Sequence, residues 1–180
     1  MNRIAGFQKV ENYNRSTVEN YKNPNSVLVV IHNESGEILL LERTQSVRGF
    51  WQSVTGSLEN DETPESCALR EVAEETGFCA NLKNLKPWHQ KNRFRIFSCY
   101  QKRYAPGVLE NTEYVFSLQI PKATKIALNP LEHLTFQWLP WQRAARLAFS
   151  PSNRDAILYW ARIFKDNGAF YAPFSKAAFL

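Results

Sequence analysis

Long apolar runs are missing from this sequence. None approaches the roughly 20 residues that a membrane-spanning helix requires, so no membrane partner is expected. The opening residues 1–21 are polar and lack the apolar stretch of an export signal, which makes the cytoplasm the expected compartment. Cysteine is scarce and odd in number: Cys67, Cys79 and Cys99 are scattered and form no CxxC pair, which argues against a disulfide framework and a zinc site. There is no internal repeat and no Pro/Gly/Ser-rich linker, so a single domain is expected. No arginine-rich run is present either. The 22 basic and 17 acidic residues, net +5, suit an anionic ligand without saying which, and because they are dispersed a plain solvated surface charge is favoured over nucleic-acid binding. What the chain does have is 180 residues, 44% of them hydrophobic and 13% aromatic, enough for a packed core.

Residues 26–32 (SVLVVIH) are β-branched and apolar, the pattern of a buried strand, and NESG at 33–36 reads as a turn into a partner strand at 37–42. A third short strand is expected at 51–54, ending at Thr55 and Gly56, where glycine would let the chain turn sharply into a loop. A helix follows. Thr63 is a good N-cap, Pro64 suits the first helical position, Glu65 suits the first turn, and Gly77 is placed to end the helix. Further strands are expected at 93–103, 113–120 and 133–139, and helices at 141–149 and 153–164. Strands interrupted by one central helix and closed by terminal helices predict an α/β sandwich with a mixed sheet.

On the central helix, Ala68, Leu69, Val72 and Ala73 form a stripe suited to packing on a sheet. Glu71, Glu74 and Glu75 form a second stripe on the opposite side, with Glu62 just before the helix. Carboxylates this close repel one another and cost helix stability. A solvated face partly neutralised by Arg70 is one explanation; a hard-cation site is the other, because magnesium is held by a few carboxylates together with substrate phosphates.

The spacing favours the second. Gly56, five residues, Glu62, seven residues, then Arg70-Glu71-Val72-Ala73-Glu74-Glu75-Thr76-Gly77-Phe78 carries all seven fixed identities of GX5EX7REUXEEXGU. With each residue type near ~6% of usage, chance would supply them in such a chain at odds below about 10⁻⁶. The segment resembles the signature of the Nudix hydrolase family; Phe78 departs from it mildly, being aromatic where an aliphatic is usual. The resemblance implies an α/β/α sandwich and hydrolysis of a pyrophosphate bond with Mg²⁺ (or Mn²⁺) as cofactor. It implies Glu71 and Glu75 as the firmest metal ligands, Glu74 beside them, the Thr55 carbonyl as a further donor in some members, and Arg70 as the holder of a neighbouring carboxylate.

Within the family, FWQSVTGS (50–57), RYAPGV (103–108), NTE (111–113), EHL (132–134) and SPSNR (150–154) resemble the bacterial branch that cuts dihydroneopterin triphosphate, over roughly residues 22–160. This implies Glu132 as another carboxylate ligand. It also implies substrate contacts from Lys22, Arg43, Thr55, the pocket segment Phe94, Arg95, Ile96 and Phe97, and Ser150. Each has a plainer alternative: Phe94 and Phe97 as core, Lys22 and Arg43 as solvated charges, Ser150 as a helix cap, Glu132 as a surface acid. Phe94 and Phe97 are three apart on an expected strand, so at most one should face a ligand. Lys22 and Arg43 should meet at one end of the sheet. The expected partner is a small-molecule triphosphate, and no oligomeric state is implied. A general deoxynucleoside triphosphate pyrophosphatase and a non-cleaving nucleotide-binding module are the alternatives; the second would have lost a glutamate of the signature, and all are present. The domain is expected to span residues 22–164, with a polar extension at 1–21 and an aromatic-rich tail at 165–180.

Overall fold

The computed structural model describes residues 21–44 and 49–166. The expected extension and tail otherwise lie outside the described residues. Strand β1 (Asn25–His32) runs through the middle of the molecule. It lies parallel to β6 (Glu110–Gln119) on one side, and antiparallel to β4 (Val54–Ser57) and to the start of β2 (Glu37–Arg43) on the other. β2 pairs with β3 (Trp51–Gln52) and β7 (His133–Pro140), and β6 pairs with β5 (Leu85–Arg95), all antiparallel. The seven described strands thus form a mixed sheet.

The apolar run in β1 is unbroken because both of its faces are covered. Val27, Val29 and Ile31 pack under helix α1 (Pro64–Thr76) with Ala68, Val72 and Phe116. Leu28 and Val30 pack under α3 (Trp141–Leu147) and α4 (Pro151–Asp166) with Ala144, Ile157 and Trp160. The result is an α/β/α sandwich.

The α1 signals act as expected. The Thr63 hydroxyl accepts from the Ser66 amide, the Ser66 hydroxyl accepts from the Thr63 amide, Pro64 opens the helix, and Gly77 closes it in the left-handed region at φ 70°. Two expected strands differ. The run at 51–54 is two strands broken at Ser53, serving different neighbours, and Gly56 sits inside β4 opposite Val27 rather than at a sharp turn. The strand expected at 93–103 lies at 85–95 and ends at Arg95, and Ser98–Gln101 form one turn of helix, α2. β5 is the edge of the sheet, where a polar sequence, Pro87 and a register shift between Pro87 and Lys91 are tolerated, so no alternation marks it.

Candidate active site

The β4–α1 unit places its carboxylates around one arginine. Arg70 Nε and Nη2 donate to the two oxygens of Glu62 at 2.9 Å each, and Nη1 donates to Glu71 at 2.8 Å and Glu74 at 3.2 Å. Nη2 also donates to the Ser57 carbonyl at 3.1 Å, tying the cluster to β4. This fork holds Glu62 below the usual carboxylate range. Glu71 behaves differently: burial outweighs Arg70 and, with Glu75 and Glu74 nearby, pushes it up to about 7.

Gly56 has a role that its place in the sequence did not reveal. A Cβ there would lie 1.8 Å from the Glu71 carboxyl group, so only glycine lets that side chain cross β4.

Glu75 corrects the sequence reading more sharply. It is 1% exposed, on the buried side of α1, not on an open acidic stripe. His133, at the start of β7 and also buried, places Nε2 3.0 Å from Glu75 Oε2, yet without the alignment of a hydrogen bond, and burial raises the Glu75 pKa. Glu132 lies beside them, its Oε1 accepting from the Asn129 side-chain amide at 3.0 Å. One donor atom each from Glu75, Glu132 and His133 falls within 4.8 Å of the others. A buried carboxylate oxygen without an aligned donor, in an oxygen-rich cluster one helical turn from the raised Glu71, is the environment that a divalent cation relieves. In the sequence only its neighbour Glu132, within the EHL segment, signals His133.

Of these groups Glu71, Glu74 and Glu132 border a cleft of about 620 Å³, whereas Glu62, Arg70, Glu75 and His133 are not among its lining residues. Lys22, Arg43, Thr55, Glu71, Glu74, Phe94, Arg95, Phe97, Glu132 and Ser150 all line it. Lys22 and Arg43 do share one end of the sheet, where burial and then repulsion from Arg103 and Arg43 lower the Lys22 pKa. Arg103, within the RYAPG segment but not singled out, lines the cleft too. Phe94 and Phe97 both line it, against the expectation of one, because the strand ends between them and the chain turns into α2. Ile96 departs the other way: it is buried, its amide donates to the Leu109 carbonyl, and it is not among the lining residues. Ser150 accepts from the Asn153 amide at 3.1 Å, so it caps the first turn of α4 while bordering the cleft. Asn153, also not singled out, exchanges two 2.8 Å hydrogen bonds with Ser53 and ties α4 to the β3–β4 break. A larger hollow of about 1250 Å³ lies against β5 and α4, away from the carboxylates; the smaller cleft holds the chemistry.

A three-layer sandwich that presents a strand–loop–helix unit of carboxylates to a cation-lined cleft defines a class of hydrolases acting on phosphoanhydrides. A NUDIX domain model matches residues 22–160, and the chain belongs to the Nudix family; it is a Nudix pyrophosphohydrolase. It is 42% identical to dihydroneopterin triphosphate diphosphatase of Escherichia coli (strain K12) over 139 residues, covering 76% of this chain and 91% of that one. It is 36% identical to the enzyme of the same name from Haemophilus influenzae, covering 76% and 87%. A solved structure of the E. coli dihydroneopterin triphosphate pyrophosphohydrolase superposes with a TM-score of 0.71 at 41% identity, over 79% of this chain and 98% of that one. Nudix hydrolases generally use divalent metal ions, and Glu75, Glu132 and His133 form a group of the kind that could hold one. No helix among the described residues is long and apolar enough to cross a membrane.

Proposed function

We propose that this chain hydrolyses dihydroneopterin triphosphate between its α and β phosphorus atoms, giving the monophosphate and pyrophosphate, with Mg²⁺ as the working cation. The observation that carries the reading is one cleft lined by metal-type carboxylates, a cation group and two aromatic rings. The identity to enzymes named for this substrate supports it.

Glu71, Glu74, Glu75 and Glu132, with His133 beside Glu75, are the residues that would hold the cation. A cation held by these residues would supply charge neutralisation for phosphate oxygens and orientation for an attacking water. Arg70 is a positioning residue, fixing Glu62 and Glu71. Lys22, Arg43 and Arg103 grip the triphosphate tail through charge-assisted hydrogen bonds, and Thr55 and Ser150 border it. Phe94 and Phe97 flank the flat heterocycle. Residues 22–164 are the catalytic unit, with 1–21 and 165–180 outside it, and the enzyme acts in the cytoplasm.

The test compares kcat/KM for dihydroneopterin triphosphate and dATP with and without EDTA. Activity should vanish with EDTA, return with Mg²⁺, and favour the pterin. Preference for dATP by tenfold or more would move the assignment to a general deoxynucleotide pyrophosphatase.

A further inference from the structure

The carboxylates of the α1 cluster do not account for every acid in the cleft. Glu113, on β6, lines the same cleft and is 5% exposed. It is not on the β4–α1 unit but on β6, opposite Asn92 of β5 and Ser26 of β1. Asn92 Nδ2 donates to its Oε2 at 3.0 Å, and the Ser152 hydroxyl also bonds to the carboxyl group. No described Lys or Arg forms an ion pair with it. Two residues along β6, on the same face, Asn111 is equally buried and lines the cleft; its Nδ2 donates to Ser26 Oγ at 2.7 Å, and its Oδ1 has no partner. Phe94 is the register partner of Asn111.

This end of the cleft therefore presents buried acceptors beside an aromatic ring. A carboxylate has about four lone-pair sites, and two on Glu113 are taken, leaving two for a ligand. A cation would suit that demand, but Lys22, Arg43 and Arg103 gather together near Glu71, and Arg95, which follows Phe94 on β5, forms no ion pair with Glu113; a neutral flat heterocycle against Phe94 is the occupant that fits. The neutral edge that satisfies two adjacent acceptor sites is a ring N–H next to an exocyclic amine. Heterocycles built on a 2-amino-4-oxopyrimidine ring, pterin and guanine (2-amino-6-oxo in purine numbering), carry that edge; adenine and hypoxanthine do not carry both donors.

We infer that Glu113 is a specificity-determining residue that accepts both hydrogen bonds of a 2-amino-4-oxo edge, holding the heterocycle against Phe94 while the triphosphate extends toward the α1 carboxylates. The inference rests on the proposed reading of the cleft as a site for a heterocyclic triphosphate. Burial raises the Glu113 pKa above the ordinary carboxylate value, in keeping with a group whose partners arrive with the ligand.

The test begins with the wild-type enzyme and needs no variant. dGTP and dITP share sugar and triphosphate and differ only by the 2-amino group. The expected result is kcat/KM for dGTP about tenfold or more above that for dITP, the scale of a hydrogen bond to a charged group. In Glu113→Gln, with folding checked by thermal melting, the dGTP to dITP ratio should fall toward one, and the dihydroneopterin triphosphate to dATP ratio should drop about tenfold. Equal handling of dGTP and dITP by the wild type, or an equal loss on every substrate in the variant, overturns the assignment. The proposed substrate itself stands or falls on the wild-type comparison of dihydroneopterin triphosphate with dATP, so the two failures are told apart.

Discussion

Glu71 and Gly56 act as one unit: the carboxylate is buried because the residue opposite has no side chain. In Gly56→Ala the new methyl group must displace the Glu71 carboxylate, whose flexible chain can move. The expected outcome is a folded protein that has lost about a hundredfold or more in kcat/KM, read by steady-state kinetics beside a circular dichroism spectrum. Glu71→Gln should cost turnover by orders of magnitude while stabilising the metal-free protein. The sign follows from the shift. Because the folded pKa, about 7, lies above the ordinary 4.5, the Glu71 contribution is fully present below about pH 4.5 and is lost as pH rises through 7. Urea unfolding in EDTA at pH 8 should therefore find the variant more stable by roughly 2 kcal/mol, and the difference should shrink at pH 5. A wild type equally stable at both values relative to the variant would contradict the burial account.

At the scale of elements, α1 carries most of the chemistry on a helix whose two ends are well specified. Thr63→Ala removes the capping pair with Ser66 and should cost about 1 kcal/mol by denaturant unfolding. Turnover at saturating Mg²⁺ should stay near normal, because the cap lies away from the carboxylates that line the cleft. The caps were legible in the sequence because they depend on local dihedral and hydrogen-bond chemistry. β5 was not. Its polar, proline-containing residues are tolerated because it is an edge strand, and being an edge is a property of the whole sheet. The same displacement hid the fact that Phe94 and Phe97 both reach the cleft.

Across the whole molecule, the two covered faces of β1 make its C-terminal residue sensitive to pH. His32 is buried between the sheet and α4, with ring centroids 4.9 Å from Trp160 and 5.2 Å from Phe164. Burial lowers its pKa to about 4, although its hydrogen-bond contact with the Asn33 carbonyl works the other way. Below pH 6.5 the unfolded chain binds a proton that the folded one refuses, so stability should fall between pH 6.5 and 4 by up to about 3 kcal/mol. His32→Phe should flatten that part of the profile, as measured by chemical denaturation across the range. The sequence by itself determined the spaced signature, the capped helix and the doubly buried central strand, because each is written in local spacing and in the identity of single residues. Only the tertiary structure decided that Glu75 is buried against His133, that Glu132 completes a cation-sized cluster and that Gly56 yields to Glu71. It alone placed Glu113 at the aromatic end of the cleft. Those contacts join residues far apart in the chain, Glu75 with His133 and Ser26 with Glu113, and they exist only once the sheet has set which strand lies beside which.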